Sequence, residues 1–308
     1  MSGFTITAGV SFSGGFTFTE APAITNTAAW FAGGFFSKVD RITFATDTTT
    51  ASVRGSLNAP ITRLAAASNT TDGWFGGGYG PYSQSAVQRI TFATDTATAS
   101  VRGPLSVSTP FLAATGNTDY GWFGGGSSGP QNTVSRIAYA TDTATASVRG
   151  PLSSARGYLT ATGNTTDGWF GGGYWSLTRS TVDRITYATD TATASVRGPL
   201  SLAMYQLAAA GNTTDGFFAG GKFPPAYSTV QRITYATDTA TASVRGPLSL
   251  ARFGLAAAGN TTDGWFGGGA GPLSTVDRIT YATDTATASV RGPLSSARYS
   301  LAAAGGIQ

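Results

Sequence analysis

The chain has 308 residues, of which 41% are hydrophobic, 12% aromatic and only 11% charged. Histidine and cysteine are absent, which excludes His-based triads, cysteine nucleophiles, disulfides and zinc sites built from the usual ligands. The net charge of +4 comes from 19 basic against 15 acidic residues spread thinly, without the dense basic patch that nucleic acid requires, and no segment is laid out as a membrane span or a secretory signal.

Residues 1–24 stand apart from the rest. Apolar residues alternate with Thr or Ser in three short runs: Phe4 and Ile6, then Val10 and Phe12, then Phe16 and Phe18. Gly9, Gly14 and Gly15 mark the breaks. Alternation of period two reads as very short strands, too few to be stable alone. They are expected to dock, adding strands to other proteins of an assembly or to copies of this chain.

From residue 25 the sequence repeats. Leu-Ala-Ala-Ala-Gly or a close variant starts at Leu64, Leu112, Leu159, Leu207, Leu255 and Leu301. Asn-Thr-Thr-Asp-Gly-Trp-Phe-Gly-Gly-Gly recurs around Trp30, Trp74, Trp122, Trp169, Phe217 and Trp265. Asp-Arg-Ile-Thr-Tyr-Ala-Thr-Asp-Thr-Ala-Thr-Ala-Ser-Val-Arg-Gly-Pro-Leu-Ser recurs around Arg41, Arg89, Arg136, Arg184, Arg232 and Arg278. Each unit reads as four short strands, Leu-Ala-Ala-Ala-Gly-Asn, Gly-Trp-Phe-Gly-Gly-Gly, Val-Asp-Arg-Ile-Thr-Tyr-Ala-Thr and Thr-Ala-Ser-Val-Arg-Gly. β-Branched and aromatic residues dominate the last three, and Asn, Asp and Gly punctuate their ends. The small-residue first strand suits the crowded axis of a radial array. Four strands in some 46–48 residues make one propeller blade, so an all-β, six-bladed β-propeller is expected over residues 25–308. The first unit starts at its second strand, Ala-Ala-Trp-Phe-Ala-Gly-Gly, and the last stops after a first strand. These halves are complementary, and pairing them would close the ring without an open edge. A solenoid would instead need capping repeats.

The phrases Pro-Leu-Ser-Ser-Ala-Arg, Trp-Phe-Gly-Gly-Gly and Ser-Thr-Val-Asp-Arg-Ile-Thr-Tyr-Ala-Thr-Asp together resemble the kelch motif over residues 25–308. The chain departs from it by lacking a fourth-strand Trp, since Thr98, Ala99 and Ser100 stand in that region. The wording of the repeat also resembles repeat proteins in virions of marine tailed bacteriophages. That resemblance implies a structural protein of the virion, on the tail or the capsid surface.

Spacing separates two faces. From third-strand Arg to fourth-strand Arg is always 13 residues, and from there to the next second-strand aromatic always 20. All length variation falls in the loop between the Gly run and the next Val, which holds four to eight residues. Because strands in a blade run up and down, the loops after the second and fourth strands share one face, and the near-constant turns after the first and third share the other. A rigid scaffold with variable loops on one side predicts recognition there. The loops after the second strands carry Phe35 and Phe36, Tyr79 and Tyr82, Tyr174 and Trp175 with Arg179, and Lys222 with Phe223 and Tyr227. The connections from fourth to first strand add Tyr158, Tyr205, Phe253 and Tyr299. Aromatics among Ser, Gly and Asn have the composition of a binding surface, and aromatic faces stack on sugar rings.

Carboxylates give no sign of a catalytic pair. Glu20 is the one Glu. Six Asp sit in Thr-Asp-Thr turns, five in Asn-Thr-Thr-Asp-like turns (Asp119 among them), and Asp40, Asp183 and Asp277 precede the third-strand Arg. An active site breaks symmetry, and these positions read as turn caps. Twelve of 17 Arg fill two ring positions, and Arg63, Arg156, Arg252 and Arg298 are read as a third, leaving Arg179 alone. No phosphate loop or calcium-loop pattern is present, so no metal or cofactor is expected. The chain is therefore read as a non-enzymatic virion protein. Its leading role is a tail-associated or fibre-like module binding a host surface glycan or protein. The alternative is a capsid decoration or tail-assembly subunit anchored on other virion proteins through residues 1–24. No nucleic acid or membrane insertion is expected.

Overall fold

Each repeat folds into four antiparallel strands in the computed structural model, which describes residues 27–129 and 131–305. The docking residues Phe4, Ile6, Val10, Phe12, Phe16 and Phe18 lie outside the described residues. In the second blade the strands are Ala65–Ser68, Asp72–Gly76, Val87–Thr91 and Ser100–Arg102, paired in that order from the axis outward. Five blades repeat this plan, and the remaining one is a composite. Its innermost strand, Leu301–Ala304, pairs antiparallel with Ala28–Gly33, bringing Trp30 opposite Ala304. The complementary halves thus close a six-bladed propeller.

The innermost strands are small because six of them meet at the axis. Ala66, Ala114, Ala161, Ala209, Ala257 and Ala303 line the axial channel along its length. On the second strand the neighbouring Trp and Phe point to opposite sides of the sheet, as successive strand residues must. Trp74 faces the third blade, packing with Phe123, Leu105 and Tyr139. Phe75 faces back toward Trp30 and Leu57 of the composite blade. Each blade but the fifth therefore presents an indole to one neighbour and a phenyl ring to the other.

One part of the third strand differs from the sequence expectation. Tyr-Ala-Thr does not continue the strand but forms one turn of 3₁₀-helix, as at Tyr139–Thr141. The turn swings the aromatic ring onto the indole of the preceding blade. Trp74 and Tyr139 stack with centroids 3.8 Å apart, and Trp30 with Phe92, Trp122 with Tyr187, Trp169 with Tyr235 and Trp265 with Phe44 do the same at 3.8–3.9 Å.

The same turn delivers an aspartate. The Asp142 carboxylate accepts the Trp74 indole N–H at 2.8 Å and the Arg89 guanidinium at 3.0 Å and forms an ion pair with Arg102 Nε at 3.4 Å, all from the neighbouring blade. Asp95, Asp190, Asp238 and Asp47 hold equivalent Trp and two Arg partners. These carboxylates are buried. Stripping one of them of both its arginines would cost on the order of 3–5 kcal/mol, because an uncompensated charge would be left behind. Backbone closes the contact from Asp142 O to Gly103 N at 2.8 Å. A Cβ on Gly103 would collide with the Ala144 carbonyl oxygen, so only glycine permits the approach.

The junction between the fifth and sixth blades departs from this pattern. Phe217 replaces Trp, its ring lies 4.6 Å from Tyr281, and Asp284 keeps only Arg232 and Arg245. Restoring the indole with F217W should supply the missing charge-assisted hydrogen bond and raise stability by about 1–2 kcal/mol, read as a higher midpoint in denaturant unfolding.

Burial raises the Tyr139, Tyr187, Tyr235 and Tyr281 phenols above their ordinary value. The folded state thus excludes the phenolate while the unfolded chain forms it freely. Stability is intact below the ordinary tyrosine value and falls as pH rises above about 10. In an alkaline titration the phenolate absorbance of these four residues should appear together with loss of the circular dichroism signal, not ahead of it.

Candidate functional site

The connections from fourth to first strand build the centre of the variable face, and a polar contact anchors each one to its own blade. In three blades it is a buried ion pair: Arg156 with Asp183 at 2.9 Å, Arg252 with Asp277 at 3.1 Å and Arg298 with Asp40 at 2.9 Å. The guanidinium groups also donate to carbonyls of the second strand, Arg156 to Phe170 O and Arg298 to Phe31 O. Desolvation pulls the Arg252 and Arg298 guanidinium groups down from their ordinary range, and the facing Asp277 and Asp40 push back. The other three blades replace both members. Gln88, Ser135 and Gln231 stand at the Asp position, and Ile61, Thr109 and Met204 at the Arg position. Gln231 still accepts from Ser201 Oγ and Leu202 N. Charge is thus either present on both sides or absent from both.

This register corrects the reading of Arg63. It does not belong with Arg156, Arg252 and Arg298, because Ile61 occupies their position and Arg63 lies two residues further on. Its equivalents are Phe111, Tyr158, Gln206, Gly254 and Ser300. All six have left-handed backbone, with φ of 54–67°. They also form a closed circle of backbone hydrogen bonds. Arg63 N donates to Ser300 O, Phe111 N to Arg63 O, Tyr158 N to Phe111 O, Gln206 N to Tyr158 O, Gly254 N to Gln206 O and Ser300 N to Gly254 O, at 2.6–2.8 Å. The circle surrounds the variable-face mouth of the axial channel. Five non-glycine residues held left-handed at one place store conformational energy that the closed ring sustains. The Arg63 and Phe111 contributions to this centre escaped sequence reading. The signal was available as the residue just before each Leu of Leu-Ala-Ala-Ala, where side chains change from repeat to repeat.

Loops after the second strand surround the ring by pairing with the connections. Tyr79 bridges to Thr62, Tyr174 to Gly157 and Lys222 to Tyr205. Side chains then form a continuous crescent. The Arg63 guanidinium lies over the Tyr79 ring at 5.3 Å and the Phe111 ring at 4.6 Å. Phe111 stacks on Tyr158 at 3.7 Å, and Tyr158 meets Tyr174 and Tyr205 edge-on at 6.4 and 5.9 Å. Lys222 Nζ reaches the Tyr205 ring at 5.9 Å and the Phe253 ring at 4.4 Å. The crescent ends where Gly254 and Ser300 leave the mouth uncovered. Of the residues expected at a binding surface, Tyr79, Tyr174 and Lys222 belong to it. Phe35 packs instead on Tyr299 at 5.1 Å.

The remaining candidates lie further out. Tyr82 and Phe223 are 74% and 53% exposed, and Phe36 is also exposed. Trp175 and Arg179 are half-buried, on and beside a small hairpin of Tyr174–Trp175 and Leu177–Thr178, whose tip residue Ser176 is left-handed. Tyr227 is half-buried, and its backbone ties Gly221 O to Arg252 N.

The opposite face is self-contained. Asn69 Oδ1 accepts from Thr71 N, Thr71 Oγ1 and Asp72 N, while Asp72 takes the Thr91 hydroxyl and lies 3.4 Å from Arg89 Nε. Asp167, Asp215 and Asp263 repeat the arrangement. Asp119 is the exception to the expected symmetry. Its turn runs Asn117-Thr118-Asp119-Tyr120, so Tyr120 fills the cap position and takes Arg136 over its ring at 4.4 Å. Asp119 is left one residue early and exposed, without an ion-pair partner among the described residues.

No family model matches the chain, and no curated protein is similar to it. Among solved structures, that of YjhT superposes with a TM-score of 0.66 over 80% of this chain and 88% of YjhT, at 10% sequence identity. At that identity the likeness establishes the six-bladed propeller fold and nothing finer.

Because charge enters the connections in pairs, exchanging the pair should be tolerated where halving it is not. D183Q alone should cost about 3–5 kcal/mol by stranding buried Arg156. Adding R156M recreates the Met204 and Gln231 arrangement of the fifth blade and should recover most of that loss, measured as a double-mutant cycle in urea unfolding.

Proposed function

We propose that this chain is a non-enzymatic structural protein of a tailed-phage virion, a tail-associated or fibre-like module that binds the host surface through its variable face. The observation that carries the recognition role is the gathering of exposed and half-exposed aromatics with Lys and Arg on one face, against a second face of nearly constant turns. The resemblance of the repeat wording to virion repeat proteins supports the setting. Kelch-like descent is part of the same reading, with the aromatic anchor moved from the fourth strand to the second.

Binding without turnover is favoured by the state of the carboxylates. Asp40, Asp183 and Asp277 are buried and engaged by Arg, and the six Thr-Asp-Thr carboxylates are occupied at blade junctions. Asp119 is on the other face, where it lines a pocket with Asp72, whose carboxylate is already engaged by the Thr91 hydroxyl and Arg89. Most glycosidases need two carboxyl groups placed across one bond.

The hairpin at Tyr174 and Trp175 is the test position, because it lies outside the four-stranded blade sheets and takes no part in the Asp, Trp and Arg contacts between blades. The Y174A/W175A double variant should bind host cells several-fold more weakly while its thermal unfolding midpoint stays unchanged. Unaltered binding would remove this loop from the site. Immunogold labelling of intact particles at the tail would support the adhesin role, whereas label over the head would replace it with capsid decoration.

A further inference from the structure

We infer that the axial mouth of the variable face is the seat for a saccharide bearing an acid group, held between Arg63 and Lys222 against the rings of Phe111, Tyr158 and Tyr205. The inference rests on the recognition role proposed above and names the chemistry of its ligand.

Charge is the first argument. Fifteen Arg lie within 4 Å of an Asp oxygen, twelve of them at blade junctions and three in the connections. The basic residues left over are Lys38, Arg63, Arg179 and Lys222, and they account for the whole net charge of +4. All four belong to loops or connections of the variable face. Those loops and connections contain no Asp or Glu, and the nearby Asp40, Asp183 and Asp277 are neutralised by their own Arg. The positive balance of the chain is therefore concentrated on one face, where it attracts anions.

Shape and chemistry are the second. A sugar ring offers an apolar C–H face and a hydroxyl edge. The first packs on aromatic faces and the second meets phenol hydroxyls, the Gln206 amide and the guanidinium, as convergent polar groups do in an otherwise apolar pocket. The mouth is bordered on one side by the crescent, while Gly254 and Ser300 bring no large side chain to the other. The cavity below is about 120 Å³ and walled by Leu and Ala, so it admits a terminal group and not a threaded polymer. Nucleic acid fits less well. It needs cations following a line of phosphates, whereas here they are separated around a circle, with Arg63 lining the mouth and Lys222 over the Tyr205 and Phe253 rings. The strained ring on which this cluster stands is the kind of backbone that folds retain at binding sites.

The repeats supply safe substitutions. Gln206 already occupies the Arg63 position in another blade, and Ala270 the Lys222 position, so R63Q/K222A should fold with an unchanged unfolding midpoint. The test is calorimetric titration of the full chain with three probes: an oligo-uronate, neutral dextran of similar length, and oligo-thymidylate. The expected result is binding of the oligo-uronate alone, weakened by salt and reduced about tenfold or more in R63Q/K222A. Equal binding of dextran, tighter binding of oligo-thymidylate, no binding of the uronate, or a variant that binds it as well as the parent would each overturn the inference. Host-cell binding lost in Y174A/W175A but with no uronate affinity would leave the recognition role standing and remove only the acidic saccharide.

Discussion

Everything in this molecule hangs on an aspartate that crosses from one blade to the next. At five of six junctions it accepts an indole N–H and one guanidinium N–H from its neighbour and forms an ion pair with a second guanidinium, beneath a stack of that indole on an aromatic ring. The stack excludes water and lowers the local dielectric, so the carboxylate is committed to its partners. The partners are contributed in fixed register by three different strands. A blade shifted by one residue would turn its Trp to the wrong side and leave an Asp unpaired. This accounts for the constant spacings between the Arg, Arg and Trp of the repeat, and for the glycine that lets the backbones close.

Committing that much polarity to the junctions leaves the two faces free to differ. On one side the Asn-Thr-Thr-Asp turns satisfy their own donors and acceptors and present little for a partner to use. On the other, loops of unequal length and composition are tied down by a few backbone bridges and by the circle of hydrogen bonds from Arg63 to Ser300. Side-chain identity around that circle is unconstrained by the fold. Arg, Phe, Tyr, Gln, Gly and Ser all occupy the same left-handed position. Diversity at a geometrically fixed place is what a recognition surface on a repeat scaffold requires.

The sixfold period, the four strands, the closure by complementary ends and the division into a constant and a variable face are all legible in the amino-acid sequence. Each follows from spacing or from strand alternation, which are local or periodic properties. Sequence reading falters where the register of an irregular segment matters. Counting Arg63 with the buried Arg ring overlooks that Ile61 already fills that place. Grouping Asp119 with the capping Asp overlooks a one-residue shift that Tyr120 absorbs. Extending the third strand through Tyr-Ala-Thr follows β-propensity, but the ring has to turn inward to meet an indole of the preceding blade, well over a repeat away in the chain.

The sequence by itself determined the number of blades and the way the ring closes, because repetition makes each unit evidence for the others, whereas the Thr-Asp-Thr carboxylates that read as turn caps are the bonds across the junctions. Only the tertiary structure decided which of the variable residues meet. Arg63, Phe111, Tyr158, Tyr205 and Lys222 come from four different repeats and are distant in the chain, and no local pattern relates them. Arg63, Phe111 and Tyr158 become neighbours because six connections converge on one axis and close a backbone circle that no single repeat can form, and Tyr205 and Lys222 pair with each other beside it.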